Sequence, residues 1–184
     1  MREIYEYIIS DLYRYAGNTK VTTLIKNFFT RKAFRATVFY RLCRNRRSLS
    51  GKLCFLLAYP FHRIYVRDKF QFSYKTVIGY GLYIGHNGPI VINPSSIIGD
   101  NFTIMQFSTI GAEINNVAKI GNNVYVGPNS CLVENISIGD NVTIGAGSIV
   151  TKNIPANATV AGNYAKILHY NNPSQLIKRK WESK

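Results

Sequence analysis

The stretch IGYGLYIGHNGPIVINPSSIIGDNFTIMQFSTIG, residues 78–111, and the later stretch IGNNVYVGPNSCLVENISIGDNVTIGAGSIVTKNIP, residues 120–155, repeat in steps of six. Aliphatic residues stand at Ile78, Ile84, Ile92, Ile98, Ile104, Ile110, Ile120, Val126, Leu132, Ile138, Ile144 and Val150. Glycine follows eight of these twelve positions, so eight of the fourteen glycines share one phase of one period. Six is neither a helical period nor a strand alternation; it is the mark of a hexapeptide β-helix. Each hexapeptide supplies a short strand and a bend, and three close a triangular coil. The phased aliphatic points inward, and glycine at the bend is expected to supply backbone angles that other residues avoid. Coils stack about 4.8 Å apart through parallel ladders. One coil cannot bury its own interior, so several must stack.

The period breaks twice. Ile84 to Ile92 holds two extra residues, around Gly85-His86-Asn87-Gly88-Pro89. Ile110 to Ile120 holds four, around Ala112 to Val117 with Glu113. Extra residues must leave the prism as loops, and loops on a rigid scaffold are where function concentrates.

Before the repeat, apolar residues recur at helical spacing. Ile4, Ile8, Leu12 and Tyr15 predict a helix ending near Gly17. A second, capped by Asn18 or Thr19, would turn Val21, Leu24, Ile25, Phe28 and Phe29 to one face. A third is predicted from about Thr30 to Arg44, with Phe34, Val38 and Leu42 on one face. A fourth is predicted from Ser50 to Arg67, kinked at Pro60. These predict a helical N-terminal domain over residues 1–68 and a β-helix domain over 69–167, entered by a short lead-in at 69–77. A basic tail over 168–184 with one or two helical turns would follow.

The formal charge is +14, and residues 1–68 carry fourteen Lys/Arg against four acids. Those basic residues alternate with aromatics such as Phe28, Phe39 and Tyr65. They serve either as solvated faces around an aromatic core or as a basic surface for anionic lipid or glycan. No nucleic-acid motif is present, and charge alone argues only for non-specific attraction, so nucleic acid is not expected as a partner. Cys43, Cys54 and Cys131 make neither a disulfide framework nor a metal-ligand spacing, which predicts free thiols in a reducing compartment. The start MREIYEY is not a secretory signal, and the apolar run from Leu53 to Phe61 is too short to span a bilayer. The expected location is cytoplasmic, with a membrane surface as a possible resting place.

Three histidines are present, and His62 and His169 share no local motif with His86, so no metal site is expected. His86 sits in the first break. A neutral imidazole there suits removal of a proton from a hydroxyl, or satisfies only local hydrogen bonds.

The Gly-His element before an apolar strand, the turn at Gln106 and the IGAGSIVTK ending together closely resemble the hexapeptide-repeat acyltransferases. The resemblance covers about Phe70 to Ile167. It is nearest to the serine O-acetyltransferase branch and its relatives in surface-polysaccharide gene clusters. It implies a mainly β chain, a left-handed parallel β-helix with an α-helical N-terminal domain, and acetyl-CoA as co-substrate. It implies His86 as general base and direct attack of a hydroxyl on the thioester, with a backbone N–H near the second break meeting the oxyanion. It also implies a homotrimer with active sites between subunits. The cofactor-binding positions carried over are Gly111, Gly127, Ala146 and Lys152, with Lys152 either meeting a CoA phosphate or standing as a solvated bend residue.

The departures point to the acceptor. The resembling serine enzymes place acids that orient the histidine and hold the amino acid where this chain has Gln71 and Gly85. Their long loop with a second histidine is short here, with Asn115, Asn116 and Val117 near that place. The usual Gly-x-Pro-Ala-Lys ending is Gly162-Asn163-Tyr164-Ala165-Lys166. An acceptor without an ammonium and a carboxylate fits better. A sugar hydroxyl of a surface polysaccharide or its precursor is one, with Asn87, Asn93 and Gln106 as hydrogen-bonding partners; Asn93 is alternatively a bend residue. Serine O-acetylation for cysteine synthesis, N-acetylation of an amino sugar, and a non-catalytic β-helix that binds a partner are the alternatives.

Overall fold

The computed structural model describes residues 2–44, 46, 48–111 and 118–182, with Asp68 as backbone alone. Among the described residues four helices come first: α1 (Arg2–Ala16), α2 (Val21–Thr30), α3 (Lys32–Arg44) and α4 (Leu49–Asp68). Among the described residues, fifteen short strands then wind into three sheets, parallel except at the last strand. The first sheet stacks β1 (Phe70–Phe72), β4 (Ile90–Ile92), β7 (Thr109–Ile110), β10 (Cys131–Leu132) and β13 (Ile149–Val150). The second stacks β2 (Val77–Ile78), β5 (Ile97–Ile98), β8 (Lys119–Ile120) and β11 (Ser137–Ile138). The third stacks β3 (Tyr83–Ile84), β6 (Thr103–Ile104), β9 (Tyr125–Val126), β12 (Thr143–Ile144) and β14 (Thr159–Ala161). It ends on β15 (Lys166–His169), which pairs antiparallel with β14. This is a left-handed β-helix with a helical N-terminal part.

The register follows the six-residue phase. Leu132 pairs with Val150 and Ile120 with Ile138, eighteen residues apart. Across the first break the partners Ile84 and Ile104 are twenty apart, and across the second Ile110 and Leu132 are twenty-two apart. The extra residues therefore leave the ladder without shifting it. All twelve phased aliphatics are at most 4% exposed. The lead-in also belongs to the prism: β1 pairs with β4, and Phe72, six residues before Ile78, is buried in phase with it.

The phased glycines do not play the expected part. None of the eight has positive φ. Most stand where the next coil comes too close for a side chain: a Cβ on Gly99 would meet the Gly121 carbonyl carbon at 2.8 Å. The left-handed corners are taken instead by Asn101, Asn123, Asn141 and Asn157, with φ between 55° and 66°. Their amides form a ladder, each Nδ2 donating to the Oδ1 of the asparagine on the next coil at 2.9 to 3.2 Å. Asparagine tolerates this conformation better than other side chains. Gly81, at φ +71°, heads the column, because Asn101 Oδ1 stands 2.6 Å from where its Cβ would be.

An open solenoid end exposes backbone groups that need partners. Helices α1 and α3 supply them. The Ser10 hydroxyl and the Asp11 carboxylate accept the Gly81 and Leu82 N–H groups. The Tyr40 hydroxyl donates to the Thr76 carbonyl. Arg41 donates to the Ile78 and Gly79 carbonyls while holding Asp11 in a fully buried bidentate pair at 2.9 Å. Burial raises the Asp11 carboxyl against the pull of Arg41. Burial works against the Arg41 cation, but Asp11 outweighs it and holds its pKa up.

One helical expectation changes. The start of α2 is Lys20 in extended conformation with no side-chain cap; Asn18 instead accepts the Lys20 N–H in a local turn. Its apolar face is split, with Leu24 and Phe28 packed inward and Val21, Ile25 and Phe29 exposed. Helix α4 begins and ends within a residue of its expected bounds, with Ser48 as its cap, whose hydroxyl accepts the Gly51 N–H, and with Pro60 inside it. The tail corrects a second expectation. Among its described residues it holds the end of β15 and turns, not helix. It returns to α1, where Arg179 donates to the Tyr15 carbonyl and Trp181 packs edge-on against Tyr13. Among the described residues, no helix is long and apolar enough to cross a membrane.

Candidate active site

The loop carrying His86 sits at the corner between the third and first sheets. Strand β3 enters it, and its backbone is fixed from both sides. Gly85 N–H donates to the Ile104 carbonyl on one side, and on the other the Tyr15 hydroxyl bonds both backbone groups of Ile84. The loop lies flat on the next coil. A Cβ at Gly88 would stand 2.5 Å from Gln106 Cβ, and the Phe107 N–H donates to the Pro89 carbonyl at 2.6 Å. His86 itself takes left-handed backbone, φ 62°, and is exposed. A side chain in this conformation is costly unless its surroundings hold it, and such positions cluster at functional sites.

Of the acceptor-binding residues expected from sequence, Asn87 and Gln106 share this corner and Asn93 does not. Asn87 is exposed beside His86. The Gln106 side-chain oxygen is buried without a hydrogen-bond partner among the described residues. Such an orphan invites a donor from a ligand or a neighbouring chain. Asn93 lies at the far end of β4, at the corner between the first and second sheets. There its side-chain oxygen accepts the Ser95 N–H and its carbonyl accepts the Ser96 N–H, as a bend residue does.

The expected CoA positions divide in the same way. Gly127 and Ala146 stack at the His86 corner, where a Cβ on Gly127 would meet Ala146 N at 2.7 Å. Beside them Gly147, at φ +67°, leaves open space with nothing within 4 Å of its Cβ position. Gly111 and the exposed Lys152 lie at the Asn93 corner. Gly111 has room for a side chain, its nearest neighbours being Thr109 at 3.7 Å and Val133 at 3.9 Å. The second break, Ala112 to Val117, lies outside the described residues, and with it the expected oxyanion donor.

The sequence reading passed over a cavity of about 410 Å³ between α4 and the first sheet. Tyr59, His62 and Arg63 line one side; Gln71, Asn93 and Gly111 line the other. Gln71 projects outward from β1, and His62 is buried against Tyr40, Phe72 and Tyr74. Burial, and then Arg63, pull the His62 imidazole down to about 4, so it is neutral near pH 7. The signal was available: Tyr59, His62, Arg63 and Val66 recur at three- and four-residue steps on one helical face. His169, set aside with the tail, lies exposed in β15, its ring nitrogen accepting the Asn171 N–H. Among the described residues no group of three His, Cys, Asp or Glu side chains is placed to hold a metal ion.

A parallel three-sided prism wound on a six-residue repeat is a hexapeptide β-helix, here with a histidine loop at one corner. Residues 118–152 match the family described as bacterial transferase hexapeptide (six repeats). The chain is 40% identical over 95 residues to serine acetyltransferase 1, chloroplastic, of Arabidopsis thaliana, covering 50% of this chain and 30% of that protein. It is 38% identical over 101 residues to the putative colanic acid biosynthesis acetyltransferase WcaB of Escherichia coli strain K12, covering 53% and 62%. Among solved structures it is similar to Neisseria gonorrhoeae serine acetyltransferase (CysE). That likeness has a TM-score of 0.74 and 26% identity over 91% of this chain and 67% of that one. A serine acetyltransferase in complex with CoA is similar at TM-score 0.70 and 25% identity, over 90% and 68%. The chain thus spans 30% and 62% of the two curated relatives' lengths. Over about half of its sequence the chain is similar to serine acetyltransferases and to the colanic acid relative, and in fold it is similar to serine acetyltransferase structures.

Proposed function

We propose that this protein is an acetyl-CoA-dependent O-acetyltransferase with His86 as general base. One observation carries the reading: an exposed imidazole in left-handed backbone, on a loop held from both sides, at the same corner as a Gln106 oxygen that has no hydrogen-bond partner among the described residues. The imidazole takes the proton of an acceptor hydroxyl as its oxygen attacks the acetyl carbonyl carbon. The tetrahedral intermediate collapses with cleavage of the C–S bond, and the proton passes to the departing CoA sulfur. Ester and CoA thiol result, with no acyl-enzyme. Gly127, Ala146 and the open Gly147 position form one wall for the co-substrate, and Gly111 and Lys152 form another. These walls lie at different corners, so a threefold assembly that sets one subunit's corner beside the other corner of the next would complete a site.

The acceptor we propose is a saccharide hydroxyl at the cytoplasmic membrane face. Gln71 and Gly85 offer no charge to an amino acid's ammonium group, and the relative named for colanic acid biosynthesis supports a glycan. Free serine is the second reading, favoured by the serine acetyltransferases among the relatives and structures. Thiol release from acetyl-CoA against serine, oligosaccharides and nucleotide sugars decides between them. For the true acceptor, His86→Ala should lose about 10²–10⁴-fold in turnover, the usual worth of a general base. An unchanged rate in that variant would remove the mechanism.

A further inference from the structure

We infer that the outer face of α4, together with α2, is a docking surface for an anionic lipid bilayer. This deepens the peripheral location proposed above by naming the surface. Leu49, Leu53, Leu56, Leu57, Phe61 and Ile64 recur at three-, four- and one-residue steps, which gather on one side of a helix. All six are exposed, Leu49 by 84% and Leu56 by 68%. The opposite face, with Ala58 and His62, is the buried one. An apolar stripe as regular as a core stripe thus faces outward, and a contiguous exposed patch of this kind marks an interaction site.

Helix α2 extends the patch. Its exposed Phe29 is linked to Phe61 through ring contacts, Phe29 to Phe28 at 5.4 Å, Phe28 to Phe39 at 5.8 Å and Phe39 to Phe61 at 5.0 Å. Val21 and Ile25 stand exposed on the same helix.

Charge selects the occupant. From residue 12 to residue 67 the chain has no Asp or Glu and thirteen Lys/Arg. Lys26, Lys52 and Arg67 are exposed on the same two helices as the apolar residues. A second copy of this face would bring cation against cation, with no acid in the segment to neutralise them. An anionic headgroup layer satisfies both features: it attracts the basic side chains and accepts the apolar ones at its acyl boundary. Helix α4, at twenty residues, lies in that plane and does not cross it. Its other side lines the cavity with Tyr59 and His62, so docking brings the cavity to the headgroup layer, where lipid-linked saccharides reside.

The test is co-sedimentation of the full chain with vesicles of phosphatidylcholine alone or with equal parts of phosphatidylglycerol, in the absence of acetyl-CoA and acceptor. Failure of docking is thereby separate from failure of acetyl transfer. The parent should bind the anionic vesicles, release with added salt and leave the neutral ones. The double variant Leu53→Gln, Leu57→Gln should bind about tenfold more weakly or worse, with an unchanged melting midpoint because both residues are exposed. A second pair, Lys26→Glu with Lys52→Glu, should lose anionic selectivity. Parent binding that ignores lipid charge, or binding equal in parent and variants, overturns the inference. So does self-association without lipid that the leucine variant abolishes, which would make a second copy the occupant.

Discussion

The Tyr15 hydroxyl donates to the Ile84 carbonyl and accepts the Ile84 N–H, both at 3.0 Å, two residues before His86. One phenol thus closes the free edge of β3, the outermost strand of the third sheet. Burial raises the phenol's pKa, and the Ile84 hydrogen bond opposes the shift. Tyr15→Phe keeps the ring and leaves two buried backbone groups unpaired, at a cost of roughly 1–3 kcal/mol each. Denaturant unfolding should show a loss of about 2–6 kcal/mol, and turnover should fall because the His86 loop loses its anchor. A variant as stable as the parent would show that the edge finds other partners.

Asp11 and Arg41 join α1, α3 and the first coil in one buried network. Asp11→Ala would strand a buried guanidinium, and breaking such a pair costs about 3–5 kcal/mol. The expected readout is a lower unfolding midpoint with the β-sheet circular dichroism of the folded state intact at low temperature. A loss no greater than that of an exposed pair such as Arg2–Glu6 would contradict the role given to the network.

The asparagine column makes an unusual ordering of substitutions. Asn123 has φ 55° and both gives and receives a ladder hydrogen bond. Alanine there loses the ladder and adds about 1–2 kcal/mol of left-handed strain, whereas glycine loses only the ladder. Asn123→Gly should therefore melt above Asn123→Ala, the reverse of the order expected in a helix.

Gly127 and Gly111 separate packing from binding. Gly127→Ala drives a methyl into the Ala146 backbone and should destabilise the prism by about 1–3 kcal/mol. Gly111→Ala meets only ordinary contacts and should leave the melting midpoint unchanged. If Gly111 lines the co-substrate path, its alanine variant raises the KM for acetyl-CoA without changing stability; titration calorimetry with CoA checks the same point.

His62 sets a pH dependence. In the unfolded chain it titrates near 6.5, and in the fold burial and then Arg63 hold it down to about 4. A base depressed in the fold favours its neutral form there, so its stabilising contribution is whole above 6.5 and is lost as pH falls towards 4. Stability should decline between about pH 7 and pH 5 by no more than about 1.4 kcal/mol per pH unit from this group. Urea unfolding of His62→Gln over that range should give a flatter profile than the parent; identical slopes would assign the effect elsewhere.

The six-residue phase was enough to specify the coil, its interior row and the two breaks, because one buried position per strand is all that a hexapeptide prism asks of a sequence. Ile78 to Val150 lie where that phase put them. The helices, too, were legible from apolar spacing to within a few residues. Tertiary structure decided the rest. Which backbone groups at the first coil lack ladder partners depends on where the solenoid begins, so the tasks of Ser10, Asp11, Tyr15 and Arg41 had no local signature. The eight glycines marked close approach between coils rather than unusual φ, because the distance to the next coil is set by stacking. Asn93 and Gln106 stand at different corners because β4 lies between His86 and Asn93, whereas Gln106 falls on the coil directly beside the histidine loop. His62 joined the cavity because α4 packs against β1, a long-range contact no spacing within the helix encodes. The outward stripe of α4 was written in the sequence as plainly as any core stripe. Only the packing of its opposite face showed that it points away from the protein.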